Sequence, residues 1–97
     1  MISEIINRSF QINPLHVHFV FNMKESEGFF LNALKINPSA ASCHGNLAVL
    51  YHRWGKLDLA KKHYEMSLKL DPNAPGTKEN YNMLRRKLEQ QQRKTIV

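Results

Sequence analysis

Cysteine occurs once in this chain, at Cys43, so no internal disulfide is possible and cysteine pairing says nothing about redox compartment. Long apolar runs are also missing. The longest apolar-rich stretch, Leu15 to Phe21, is interrupted by His16 and His18 and is far too short to span a bilayer. Met1 to Phe10 carries Glu4 as well as Arg8, and no small-residue cleavage site follows Phe21, so no targeting segment is expected. There is no glycine-rich phosphate loop, no pair of carboxylates on one helix face, and no serine or cysteine triad pattern. Glu25 and Glu27 are two apart and do not face each other on a helix. His16-x-His18 offers two weak ligands without cysteine or carboxylate support. The expectation is no catalytic residue, no metal and no cofactor.

Acidic residues are scarce. Asp and Glu number 8 against 14 Lys and Arg, for a formal net charge of +6. That balance could suit an acidic partner, RNA or an anionic membrane surface, but the preferred reading is an excess that sits on solvated helix faces. Arg85-Arg86-Lys87, with Arg93 and Lys94, lacks the interleaved aromatics of a single-stranded nucleic-acid platform, so nucleic acid is not an expected partner. Contact of this tail with anionic lipid is a weaker alternative to a solvated helix.

What is present is a periodic pattern. At 97 residues and 42% apolar content, the chain has room for one small domain. Between Ala41 and Asn73, Leu47, Ala48, Leu50, Tyr51 and Trp54 recur at helical spacing, and Ala60, Tyr64, Ser67 and Leu68 do so again. Ala48 and Ala60 are small where two backbones must approach, and Tyr64 is large where a gap must be filled. Gly55 can close the first helix in a left-handed conformation. Ser39 and Asp58 are the candidate caps, and Pro72 stops the second helix. These offsets are those of the 34-residue helix–turn–helix tetratricopeptide repeat, or TPR.

The remainder divides around this unit. Residues 23–40 read as the second helix of a truncated TPR: shifted by 34, Phe30 falls on Tyr64, Ala33 on Ser67, Leu34 on Leu68 and Pro38 on Pro72. Residues 1–22 are a non-repeat segment. Within it, Met1 to Phe10 suits a short helix, and Asn13-Pro14 a break. Leu15 to Phe21 suits either a strand or a short helix; Leu15, Val17, Phe19, Val20 and Phe21 either cover the Phe29–Ile36 helix or leave its free side exposed. Residues 41–74 are the full TPR, and 75–97 a capping helix and basic tail in which Tyr81, Leu84 and Leu88 form a narrow apolar stripe. The expected fold is all-α: a short TPR-type hairpin stack of a half repeat, one full repeat and a terminal capping helix. With neighbouring repeats missing, stability should be marginal.

The candidate site is a peptide groove. Asparagine can donate to a peptide carbonyl and accept from a peptide amide at once, which reads backbone rather than side chain. Asn46 and Asn80 stand 34 apart and can form a short ladder, with His52 and Arg53 near the same groove. His44 occupies a position that often holds a large aromatic and is expected to pack.

Lys24-Glu25-Ser26-Glu27, Asn46-Leu47-Ala48-Val49-Leu50-Tyr51-His52-Arg53-Trp54-Gly55, Leu59-Ala60-Lys61-Lys62-His63-Tyr64-Glu65 and Gly76-Thr77-Lys78-Glu79-Asn80-Tyr81 with Leu84-Arg85-Arg86-Lys87-Leu88-Glu89 carry a closer likeness. Over about residues 23–97 the chain resembles the C-terminal end of the transmembrane and TPR-repeat-containing family of O-mannosyltransferases. The resemblance implies an endoplasmic reticulum membrane protein that transfers mannose from dolichyl phosphate mannose to Ser or Thr of acceptors such as cadherins. Its repeats would face the lumen and hold acceptor protein. No family catalytic residue maps onto this chain, and the membrane half is absent. Two functions are therefore expected: a protein-interaction fragment that takes an extended peptide or acceptor protein in its TPR groove, or a truncated or mis-predicted fragment inactive by itself.

Overall fold

A computed structural model of the chain describes the backbone of residues 14–96 and the side chains of residues 18–94. It is all-α. Helix α1 spans Pro14–Ile36, α2 Ala41–Trp54, α3 Leu57–Leu70 and α4 Thr77–Ile96. The expected short helix at Met1 to Phe10 lies outside the described residues. Pro14 opens α1, a position where a missing N–H costs nothing. The helix then passes through residue 22 without interruption, so Leu15 to Phe21 is helical.

That continuity decides between two expectations, against a covered Phe29–Ile36 face and for an exposed one. Phe19, Val20 and Phe21 belong to the same helix as Phe29 and Ile36 and cannot fold back over it. Phe29 and Ile36 remain 71% and 88% exposed. The opposite side of α1 does pack: Phe30 and Leu34 rest against the core.

The core is built where small and large residues alternate. Ala48 on α2 and Ala60 on α3 are fully buried and let the two helices close on each other. Leu47, Tyr51, Tyr64 and, from α4, Leu84 fill the space between them. Burying a side chain such as Leu47 or Leu84 contributes about 2 kcal/mol each. Tyr81 and Leu88 complete the expected apolar stripe of α4 against this cluster.

The turns obey local chemistry, with two corrections. Gly55 has φ 88°, and the paired bonds from Gly55 N to His52 O (3.2 Å) and Lys56 N to Tyr51 O (2.9 Å) close α2 in a left-handed cap. Ser39 does not cap α2. The N-cap position is Ala40 and makes no side-chain bond, while the Ser39 amide donates to Asn37 Oδ1 at 3.2 Å. Asp58 does not cap α3 either. It lies inside the first turn, after Lys56 at the N-cap, where its charge still favours the helix dipole.

Candidate functional site

The groove lies between α2 and α4. Gly45, Asn46, Val49 and Asn80 line one concavity of about 170 Å³, with Asp71 and Ala74 at its edge. A second, of about 280 Å³, is lined by Val49, His52, Arg53, Tyr64, Asn80 and Met83. The two adjoin, sharing Val49 and Asn80 in their linings. All four residues singled out from sequence line one or both: Asn46 the first, His52 and Arg53 the second, and Asn80 both.

The groove's position follows from helical spacing. Asn46, Val49 and Arg53 recur at three and four residues along α2, so they share a stripe. Asn80, Met83 and Lys87 do the same along α4. Each member of the second stripe stands 34 residues after its counterpart in the first. Sequence reasoning found the Asn46–Asn80 pair and missed Val49–Met83, which line the second concavity together. Applying the same shift to Val49 reveals it.

The floor is aromatic. Tyr64 reaches up from α3, its ring 1% exposed, and meets the edge of His52 at 6.1 Å and that of Tyr81 at 6.2 Å. The Tyr64 hydroxyl lies 3.2 Å from His52 Nδ1. Burial, then the charge of Lys87, holds the His52 imidazole below its ordinary value of 6.5. A neutral His52 accepts the Tyr64 proton at Nδ1 and keeps Nε2–H as a donor. Burial pushes the Tyr64 phenol up, partly offset by Arg53. The floor therefore stays uncharged at neutral pH.

Behind the groove, α2, α3 and α4 meet closely at Gly45. Ser67 Oγ on α3 donates to the Ala41 carbonyl on α2 at 2.8 Å. A Cβ on Gly45 would lie 3.2 Å from that Oγ and 3.4 Å from Thr77 Oγ1. The absence of a side chain at residue 45 is what lets α4 sit near enough for Asn80 to share a concavity with Asn46.

Other sequence candidates fall elsewhere. His44 is buried and bridges, with Nε2 2.9 Å from the Pro38 carbonyl and Nδ1 3.1 Å from His63 Nδ1. Cys43 is half-buried with Sγ 3.5 Å from the Phe30 carbonyl, and burial pushes its thiol up, which keeps it protonated. Arg85 and Arg86 line one shallow concavity of α4 with Asn82 and Glu89. Successive helical residues diverge by about 100°: Arg85 stacks over Tyr81, Arg86 Nε donates to Asn82 O, and Lys87 acts on His52. No group of three or more His, Cys, Asp or Glu among the described residues could hold a metal ion. No described helix is long and apolar enough to cross a membrane.

The tetratricopeptide repeat family matches residues 41–74, the α2–α3 hairpin and its following turn. The chain is 73% identical over 64 residues to protein O-mannosyl-transferase TMTC4 of Mus musculus, covering 66% of this chain and 9% of that protein. It is 77% identical over 57 residues to protein O-mannosyl-transferase TMTC4 of Homo sapiens, covering 59% of this chain and 8% of that protein. The chain thus spans about a tenth of the length of these curated relatives. It is an all-α, TPR-type chain that resembles a TPR segment of TMTC4.

Proposed function

We propose that this chain is a peptide-holding module, in which the groove between α2 and α4 takes an extended stretch of another protein. The observation that carries this reading is the shared concavity of Asn46 and Asn80 with Val49 between them. Two primary amides on adjacent helices can pair with successive peptide groups of an extended strand, and an extended strand has unpaired N–H and C=O groups to offer. The relatives' name supports an acceptor protein of O-mannosyl transfer as the held segment; a place on the lumenal side of the endoplasmic reticulum membrane is part of the proposal and follows the family resemblance alone. On this reading the module supplies holding and no chemical step of its own.

The test is fluorescence anisotropy with a capped ten-residue Ser/Thr-rich peptide on the full chain, compared with Asn46→Ala, Asn80→Ala and the double variant. Losing two ligand hydrogen bonds predicts a fall in affinity of about tenfold for the double variant. Unchanged binding would overturn the groove reading.

A further inference from the structure

Three parts of the chain meet at one end of the bundle. Helices α1 and α2 run antiparallel, since Cys43 meets Phe30 while Tyr51, later in α2, meets Glu27, earlier in α1. In that register the start of α1, residues 14–22, runs about 13 Å past the end of α2, at about 1.5 Å per residue. The turn from α2 to α3 lies at this end, with Trp54 and Lys56. So does the end of α4. Tyr81 donates to Glu65, and Gln91 and Gln92 share a concavity with Asp58, so Arg93 and Lys94 lie past the start of α3. The projecting start of α1 differs from the other two parts. No Asp, Glu, Lys or Arg stands between Pro14 and Met23. Phe19 and Phe21 are 39% and 65% exposed. Two residues apart on a helix, they diverge by about 200° and emerge on nearly opposite sides.

We propose that this end of the molecule docks on a lipid bilayer surface. The start of α1 enters the boundary between headgroups and acyl chains, and Lys56, Arg93 and Lys94 face anionic headgroups. The divergence of Phe19 and Phe21 selects the occupant. A protein surface approaches a helix from one side and covers one of the two, whereas acyl chains close around both. The uncharged run is about 15 Å long, about half the hydrocarbon thickness, so α1 enters the boundary without crossing the membrane. Trp54 and Lys56 are residue types that favour this boundary, the indole at headgroup depth and the ammonium in water. They stand together, with Lys56 Nζ 3.7 Å over the Trp54 ring. Lys56, Arg93 and Lys94 are all exposed, while Asp58 and Glu89 lie to one side, where α3 meets α4. The peptide groove opens between α2 and α4, so neither surface depends on the other.

Vesicle flotation of the full chain tests this, with phosphatidylcholine vesicles made with and without phosphatidylserine. The serine lipid should raise the bound fraction, and added salt should take that gain away. Phe19→Ser and Phe21→Ser should each weaken partition about tenfold. The Lys56→Gln, Arg93→Gln, Lys94→Gln triple variant should lose the gain from the serine lipid, about fivefold per cation. Trp54 is the one tryptophan, so its emission reports depth. It should shift to the blue on binding and be quenched by brominated acyl chains. Phe29→Ser with Ile36→Ser, outside the projecting segment, should float as the parent does. Phe19 and Phe21 lie outside the core, and far-ultraviolet circular dichroism checks that each variant keeps its helices. A parent chain that does not float, or one matched by the Phe19→Ser, Phe21→Ser double variant, overturns the proposal. So does an equal loss in the Phe29→Ser, Ile36→Ser variant, which would make the binding general rather than specific to this end. Self-association without flotation, abolished by Phe21→Ser, identifies a second copy as the occupant and overturns the lipid reading.

Discussion

Tyr51 donates its phenolic hydrogen to the Glu27 carboxylate across 2.6 Å, and this bond ties α1 to the full repeat. Tyr51 is 3% exposed and belongs to the core, whereas Glu27 is half-buried on a helix whose far side is open. Burial raises the Tyr51 phenol first, and the hydrogen bond and charge of Glu27 raise it further, to about 12 from an ordinary 10.0. The bond therefore does two things: it satisfies a polar atom that would otherwise be buried alone, and it makes α1 packing sensitive to alkali.

The alkaline arm is the first prediction. The folded chain keeps the Tyr51 proton between pH 10 and about 12, where the unfolded chain releases it, so stability is full below 10 and declines as pH rises through 12. Tyr51→Phe should cost about 1 kcal/mol at neutral pH. Thermal melts at stepped pH check both effects. A Tyr51→Phe variant whose alkaline slope matches the parent would show that another group governs this range.

The close approach at Gly45 yields the second. Gly to Ala inside a helix ordinarily gains about 1 kcal/mol in propensity. Here the added Cβ meets Ser67 Oγ at 3.2 Å, and that oxygen is held by its bond to the Ala41 carbonyl. Gly45→Ala should therefore destabilise the chain by about 1 kcal/mol net, as overpacking outweighs propensity. In a Ser67→Ala background the obstacle is gone, and the same substitution should be neutral or stabilising. A double-mutant cycle by urea denaturation gives the answer. Additive energies would place the strain somewhere other than Ser67.

A third prediction concerns Gly55. Its φ of 88° is open to glycine and costly for an L side chain, although a Cβ added there would meet no atom within 4 Å. Gly55→Ala should cost about 1 kcal/mol through backbone strain alone. Gly55→Asn should cost less, because asparagine tolerates the left-handed region. Equal losses for both in a chemical melt would point to a steric cause instead.

How much of this is legible in the sequence differs from residue to residue. Ala48, Ala60, Tyr64 and Gly55 announce the hairpin because each has a size or conformational role that few residues can fill. The Asn46–Asn80 rung is legible because a 34-residue shift carries one onto the other. The caps are not. Ser39 and Asp58 have the right chemistry, yet a cap is decided by register, and here Ala40 and Lys56 take the N-cap positions. Nor is the Tyr51–Glu27 bond, since it joins residues 24 apart on helices that periodicity describes one at a time. Lys87 reads as part of a basic tail when neighbours in sequence are grouped as a run, while a helix points them in different directions.

The last prediction comes from the histidine pair that locks α2 to α3. The Pro38 carbonyl, 2.9 Å from His44 Nε2, can only accept, so that nitrogen carries hydrogen. In the neutral pair His44 Nδ1 is then the acceptor, and His63 Nδ1, 3.1 Å away, must donate. A proton added to the His63 ring goes on Nε2, which leaves the Nδ1–H donation in place but sets a cation in a partly buried site beside Lys62. Burial, then the charges of His44 and Lys62, accordingly hold the His63 imidazole below 6.5. Because the folded value is depressed, the unfolded chain binds more protons in this window, and stability present above pH 6.5 is lost as pH falls toward the folded value. His52, depressed by burial and Lys87, acts with the same sign. Melting temperature should therefore drop as pH falls through the ordinary imidazole value of 6.5, above the range where carboxylates titrate. His63→Gln keeps a side-chain donor for His44 Nδ1 without a titrating ring, so it should flatten part of the slope, and His63→Gln with His52→Gln should flatten most of it. If the single variant melts with the parent's full pH dependence, the pair is not the acid-sensitive joint of this repeat.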